Sequence, residues 1–179
     1  LARFSSAGKQ VVGWAVSAGN GEFELLCQAD RIVMPPAGRL ELTGYSAEAT
    51  ALGSGLKQLG VAAHFVRRGD YKTAPELFTH DEVSPIQRQT LEVILDERYA
   101  ALVDAIARGR RLPADEVRAR IDEGPYSAKR AQARGLVDAL VSEVDLAYYL
   151  SGEPVPATPE EGKGKGARLG DFDSYAACL

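Results

Sequence analysis

The sequence predicts an α/β layered fold. Short apolar runs with the character of strands alternate with segments in which apolar residues recur at helical spacing. Glycine and proline separate these segments, which indicates short connections. A chain of 179 residues, 45% of them hydrophobic, can bury one good core and is most simply one domain.

The first part of the chain alternates between strands and helices. Apolar patterns typical of strands occupy residues 9–16, 31–34, 39–42 and 61–66. A turn is predicted at residues 17–21, and helices at residues 22–29 and 46–59, the second closed by Gly60. This order of elements suits a sheet covered by helices.

Helices dominate the second part of the chain. Ser84 and Gln87 form a capping box with Pro85 at the first helical position, so a long helix is expected to begin there and end near Gly109. Its apolar stripe consists of Leu91, Ile94, Leu95, Tyr99, Leu102 and Ile106. Shorter helices are predicted at residues 113–121 and 127–134, then an apolar segment at 136–141 and a last amphipathic turn at 144–150.

The domain organisation is predicted from composition. Residues 1–150 carry the α/β pattern, residues 151–168 are rich in proline, glycine and charge and are expected to be a flexible linker, and residues 169–179 look like an arm leading towards a following domain. Residues 1–8 resemble the last turns of a helix closed by a glycine. We therefore expect a partial domain without its first strands, taken from a longer polypeptide.

Composition argues against several classes of function. The net charge is −4 and the basic residues are scattered among acidic ones, so nucleic acid is not an expected partner. Cys27 and Cys178 form no CxxC pair, and Cys27 is expected to be a small buried hydrophobe. No run approaches the roughly 18 apolar residues of a membrane span. There is no phosphate loop, dinucleotide fingerprint or HExxH, so neither a cofactor nor a metal is predicted.

A single lysine is the leading candidate for chemistry. Lys72 lies in a loop, residues 67–75 (the lysine loop), directly after the predicted strand 61–66. An α/β protein can hold a catalytic base at this position, although a solvated surface lysine has the same local pattern. His64 and His80 are alternative bases or structural histidines. The acidic residues near the loop are weak candidates for metal ligands, because their spacing fits no known ligand pattern: Asp70, Glu76, Asp81 and Glu82.

Several motifs together resemble the signal peptide peptidase A (protease IV) family, serine proteases of the ClpP/crotonase-like superfamily. The most specific is R-x-G-x-Y-K-x-A at residues 67–74, followed by F-T and S-P. The others, in the family's order, are G-K-Q-V-V at 8–12, A-D-R-I at 29–32, P-x-G and L-T-G at 36–44, L-G-V at 59–61 and A-x-x-x-G-L-V-D at 131–138. The resemblance covers roughly residues 8 to 150 and implies a ClpP/crotonase-like layered fold.

The resemblance implies a serine–lysine dyad in which Lys72 is the general base. A lysine amine can accept a proton only when it is neutral, and burial in an apolar cleft favours that form. Tyr71, Ala74 and Phe78 are the residues expected to bury it. The positive charges of Arg67 and Arg68 would help by repulsion, whereas the negative charge of Asp70 would oppose it.

The position of the nucleophile departs from the family pattern. Single-domain members carry the serine of an S-G-G run where the helix after the first strand opens, and the matching position here is Asn20. Ser17, three residues upstream, is only a weak nucleophile candidate. The departure resembles the amino-terminal half of the long two-domain members, in which the first domain contributes the lysine and the second contributes the serine.

The resemblance also implies substrates, partners and a location. These are signal peptides and other hydrophobic peptides, the carboxy-terminal protease domain of the same protein, a homo-oligomer, and the extracytoplasmic side of a bacterial cytoplasmic membrane. One alternative is a non-catalytic protease-like domain that serves as a scaffold. Another is a crotonase-like acyl-CoA enzyme, which the protease-specific lysine loop disfavours.

Overall fold

The computed structural model describes Phe4 and residues 7–154. Contacts divide the chain into two compact units: the first holds the residues up to Thr43 and from Ala105 onward, and the second is Gly44–Asp104. The predicted arm and all but the first residues of the predicted linker lie outside the described residues.

The first unit contains two small sheets. Their strands are β1 (Val12–Trp14), β2 (Ser17–Gly19), β3 (Arg31–Met34), β4 (Arg39–Glu41), β5 (Tyr126–Ser127) and β6 (Ala139–Leu140). One sheet has the parallel order β1-β3-β6. The other has the order β2-β4-β5, in which β2 and β4 are parallel and β5 is antiparallel to β4.

The chain passes from the first sheet to the second at two short bends, here called corners: one between β1 and β2, and one between β3 and β4. β1 leads into β2 and β3 leads into β4, and each corner places its second strand in the second sheet. The corners bond to each other through Arg39, whose N–H donates to the carbonyl of Val16 over 3.0 Å. β3 is central in its sheet, and Ile32, Val33 and Met34 are all buried, as expected for a strand with neighbours on both sides.

Seven helices are present among the described residues. They are α1 (Asn20–Leu26), α2 (Gly53–Gln58), α3 (Glu76–Thr79), α4 (Pro85–Arg110), α5 (Ala114–Asp122), α6 (Ala128–Ala133) and α7 (Leu146–Ser151), with a 3₁₀ turn at Glu143–Asp145. The predicted α/β class is confirmed, and the strand at residues 31–34 is confirmed at both ends. The helices predicted at residues 22–29, 113–121 and 127–134 are present with small shifts of their ends.

The long helix agrees with its sequence signals. It begins at Pro85, and the N–H of Gln87 donates to the Ser84 hydroxyl over 3.2 Å, as the capping box predicts. Within the predicted stripe, Leu102 and Ile106 are fully buried. Ile94, which the sequence places in the apolar stripe, is half exposed. It lies off the line that residues 91, 95, 99, 102 and 106 follow along one helix face.

The helix predicted at residues 46–59 is wrong over its first half. Only Gly53–Gln58 is helical. In a longer helix, the N–H of Leu52 would donate to the carbonyl four residues earlier, but here it donates to Leu77 over 2.7 Å. The N–H of Gly53 likewise donates to His80 over 3.0 Å. These bonds to the segment around α3 prevent the helix from extending backward.

Two further predictions are wrong for the same kind of reason. The predicted turn at residues 17–21 is β2 followed by the start of α1, because Ser17 and Gly19 pair with β4. The predicted strand at residues 61–66 is not a strand in the described structure, and Phe65 and Val66 are exposed. An alternating pattern makes a strand only when another strand is placed to pair with it.

Cys27 is a buried thiol at the end of α1, as predicted. Burial raises its pKa to about 12, against the opposing effect of the nearby Arg110 charge. A thiol with so high a pKa stays protonated and unreactive at neutral pH.

Asp138 joins several elements of the first unit. Its carboxylate accepts two hydrogen bonds from Arg110, at 2.9 and 2.6 Å, and one from the N–H of Ile32 at 2.7 Å. Partial burial disfavours the charged carboxylate, but the bonds from Arg110 and Ile32 outweigh it and the pKa of Asp138 is lowered. The aspartate of the G-L-V-D motif thus ties β3 and the end of α4 together.

We expect Asp138→Asn to destabilise the fold by about 1–3 kcal/mol at pH 7, because Arg110, whose side chain is only 9% exposed, loses its charged partner. Since the folded pKa is lowered, the stabilisation from Asp138 is complete above the unfolded pKa of about 3.9 and is lost as the pH falls through the folded value. Melting curves should therefore show a difference in Tm between wild type and variant at pH 7, and this difference should decrease below about pH 4.

Asp115→Asn is the matched control, because Asp115 pairs with Arg118 while 98% exposed. Its effect should be within about 0.5 kcal/mol at any pH. If the difference in Tm between wild type and Asp138→Asn is the same at pH 7 and pH 3, the ionised Asp138 carboxylate is not the source of the stabilisation.

Candidate functional site

Asn20, which the motif resemblance predicts at the family's nucleophile position, makes a structural hydrogen bond in this chain. It is the first residue of α1, directly after β2. Its side-chain oxygen Oδ1 accepts a hydrogen bond from the N–H of Thr43 over 3.2 Å, which links the start of the helix to the segment after β4. Ser17, the weak candidate, is exposed on β2 opposite Arg39.

A cavity of about 350 Å³ lies in the first unit. It is bordered by Thr43, the hydrogen-bond partner of Asn20, and by residues of β4, of β5 and directly before β5: Arg39, Glu41, Pro125, Tyr126 and Ser127. Asn20 is therefore joined by a hydrogen bond to one of the residues that line this cavity.

Lys72 belongs to the second unit, in the loop before α3. Its backbone is bonded on both sides: the N–H donates to the carbonyl of Gly69 over 3.4 Å, and the carbonyl accepts from Nη1 of Arg67 over 3.3 Å. Gly69 has a φ of +93°, which a residue with a side chain rarely adopts. The glycine of the R-x-G-x-Y-K motif therefore allows the turn that the lysine follows.

The expected burial of Lys72 is wrong for this chain. Lys72 and Ala74 are exposed, and three-quarters of the surface of Tyr71 is accessible. Phe78 stacks on Phe65 with ring centroids 5.9 Å apart, so this predicted burying residue is used elsewhere. Because residues 61–66 do not form the predicted strand, the lysine loop does not form a cleft around Lys72.

Arg67, whose charge the sequence analysis expected to repel the Lys72 ammonium, is held in an ion pair with another residue. Its Nη1 forms an ion pair of 2.7 Å with Oε1 of Glu76, which is only 3% exposed. The nearby Ser84 hydroxyl, and then the Arg67 guanidinium, lower the pKa of Glu76 in spite of this burial. The sequence analysis named Glu76 only among the acidic residues near the lysine loop. Its place in the first turn of a helix after Pro75 was the available signal of a more specific role.

The other candidates are not gathered into a site. His64 is exposed, and His80 bonds through Nδ1 to the Thr79 hydroxyl over 2.9 Å. Asp81 pairs with Lys57 over 2.9 Å at the surface. Across Phe4 and residues 7–154, no group of three or more His, Cys, Asp or Glu residues is placed to hold a metal ion.

A sequence model of peptidase family S49 matches residues 3–151. The chain belongs to peptidase family S49. The resemblance drawn from the motifs is thereby confirmed, and the match covers both the Asn20 position and the lysine loop.

Three of the proteins to which this chain is similar carry the name of a protease. Protease 4 of Haemophilus influenzae is 28% identical over 187 residues, covering 100% of this chain and 30% of that protein. Protease 4 of Salmonella typhi is 29% identical over 84% of this chain and 26% of its own length. The chloroplastic serine protease SPPA of Arabidopsis thaliana is 26% identical over 76% of this chain and 20% of its own length.

The S49 chain therefore spans less than a third of the length of these relatives. Among its described residues, no helix has the length and apolar character needed to cross a membrane.

Proposed function

We propose that this chain is the lysine-bearing part of a serine endopeptidase that degrades signal peptides and other hydrophobic peptides. Lys72 is its general base, and the nucleophilic serine comes from a second, carboxy-terminal protease domain of the same protein. The active protein is a homo-oligomer on the extracytoplasmic side of a bacterial cytoplasmic membrane.

The proposed reaction needs one base and one hydroxyl. The neutral amine of Lys72 takes the proton of the serine hydroxyl while the oxygen attacks the peptide carbonyl carbon. The proton then passes to the leaving amine as the peptide bond breaks and an ester forms. Water hydrolyses the ester and returns the serine. Because the amine must be neutral, the second domain is also expected to cover Lys72, which this chain leaves exposed.

The observation that carries this proposal is the hydrogen bond between Asn20 Oδ1 and the N–H of Thr43. An asparagine amide cannot attack an acyl carbon usefully, and here it serves to join two segments of the backbone. The lysine loop, in contrast, keeps the complete R-x-G-x-Y-K-x-A motif with its bonded turn. A chain with the base but a structural residue at the nucleophile position is expected to be half of a dyad.

A serine-directed fluorophosphonate probe tests the proposal. This chain alone should show no peptidase activity and no labelling, because Ser17 is exposed on a strand without a placed base. The intact protein should be labelled at a serine outside this chain. Ser17→Ala is the control and should leave labelling of the intact protein unchanged. Labelling of the isolated chain that disappears in Ser17→Ala would contradict the two-half arrangement.

A scaffold is the second candidate, and the exposure of Lys72 favours it. A non-catalytic protease-like domain would need no buried amine, and the apolar residues exposed in the second unit, among them Tyr71 and Val66, would suit contacts with other chains. On this hypothesis, Lys72 can be replaced without loss of turnover.

A further inference from the structure

Arg67 bonds both to Lys72 and to Glu76, which follows Lys72 in the chain. Its Nη1 donates to the carbonyl of Lys72 over 3.3 Å and to Oε1 of Glu76 over 2.7 Å. We propose that Arg67 and Glu76 are a positioning pair that sets the orientation of Lys72 for proton transfer, an inference that rests on the proposed function. Neither residue is expected to touch substrate.

The pair closes the lysine loop at its two ends. Arg67 begins the loop, Glu76 is the first residue of α3, and Lys72 lies between them. The N–H of Glu76 donates to the carbonyl of Thr73 over 2.9 Å, so α3 is also tied to the residue after the lysine. With its own N–H bonded to Gly69, the Lys72 backbone is held at both of its polar groups while the side chain stays exposed.

Burial makes this ion pair different from the surface pairs of the chain. Glu76 is 3% exposed and the Arg67 side chain is 38% exposed, whereas both side chains of the Lys57–Asp81 pair are at least half exposed. A buried carboxylate without its cation is strongly destabilised, so Glu76 keeps Arg67 in place. Arg67 in turn has a second N–H on the same nitrogen available for the Lys72 carbonyl.

The expected consequence is an effect on the chemical step. Displacement of a catalytic group by about 1 Å can reduce the rate about 100-fold, because the proton must be transferred over hydrogen-bond distance. Loss of the pair should therefore lower kcat about 10- to 100-fold in the intact protein and leave KM within about twofold.

The experiment compares Arg67→Ala, Arg67→Lys and Glu76→Gln in the intact protein, with Arg118→Ala as the matched control. Arg118 also pairs with a carboxylate, that of Asp115, but this pair is exposed and lies outside the lysine loop. Peptide turnover supplies kcat and KM, and hydrogen–deuterium exchange of residues 69–75 reports the loop itself. Arg67→Ala should lower kcat and speed exchange in this segment. Arg67→Lys should recover part of both, Glu76→Gln should be intermediate, and Arg118→Ala should resemble wild type.

The outcomes separate this inference from the proposed function. If Lys72→Ala is inactive but Arg67→Ala keeps wild-type kcat, the positioning pair is overturned and the proposed function stands. If Lys72→Ala is active, the proposed function fails and the positioning pair is overturned with it, because Lys72 then transfers no proton that needs orienting. Faster exchange throughout the chain in Arg67→Ala would also overturn it, since the pair would then be a general stabiliser.

Discussion

Replacing Lys72 by alanine in the intact protein is expected to abolish peptidase turnover and leave the fold intact. Removal of a general base costs about 10²- to 10⁴-fold in rate, and a serine hydroxyl without a base is a poor nucleophile. Because Lys72 is exposed and its loop is bonded through backbone groups, the side chain can be removed without loss of packing. Turnover of a hydrophobic peptide and a thermal melt of the same sample are the two measurements.

Two other variants make this result specific. Lys72→Arg should also be inactive, since a guanidinium cannot lose its proton under these conditions. Lys57→Ala should retain activity, because Lys57 only pairs with Asp81 at the surface. Full turnover in Lys72→Ala would favour the scaffold over the peptidase.

Gly109→Ala is expected to cause a large loss of stability. Gly109 lies near the end of α4, and a Cβ there would overlap the backbone carbonyl and Cβ of Cys27. Neither group is the flexible end of a side chain, so the helix or α1 must move. We expect a net loss of about 3 kcal/mol, at the upper end of the cost of overpacking and in spite of the higher helix propensity of alanine. The Tm should fall by about 6–12 °C.

Gly55→Ala is the matched control. Gly55 is also a helical glycine, in α2, but nothing lies within 4 Å of the position that its Cβ would take. This substitution should stabilise the chain by about 0.5–1 kcal/mol, since alanine favours the helix. Equal effects of the two substitutions on Tm would show that propensity, not the contact with Cys27, decides the stability at position 109.

The elements that sequence reasoning placed correctly depend on local signals. The start of α4 follows from Ser84, Pro85 and Gln87, which act within one helical turn. Ser127 caps α6 in the same way, by accepting from the N–H of Arg130. The wrong elements depended on distant partners: β2 formed because β4 pairs with it, and the helix before Gly53 was lost because Leu52 bonds to Leu77.

The candidate site shows the same difference between local signals and long-range contacts. Its residue types could be predicted, because the motif around Lys72 and the asparagine at the nucleophile position are matters of identity and order along the chain. The buried pairing of Arg67 with Glu76 was missed, since opposite charges nine residues apart in a loop carry no periodic signal. Its energetic weight comes from burial, which depends on the folded surroundings.

The sequence by itself determined the α/β class, the S49 motifs, the capped start of α4 and the identity of the candidate base. Only the tertiary structure decided that Lys72 is exposed, that Asn20 bonds to Thr43, and that Arg67 holds the Lys72 carbonyl. The physical reason is the range of the interactions. Caps, turns and helical stripes act within a few residues, whereas exposure and long-range hydrogen bonds depend on where the rest of the chain is placed.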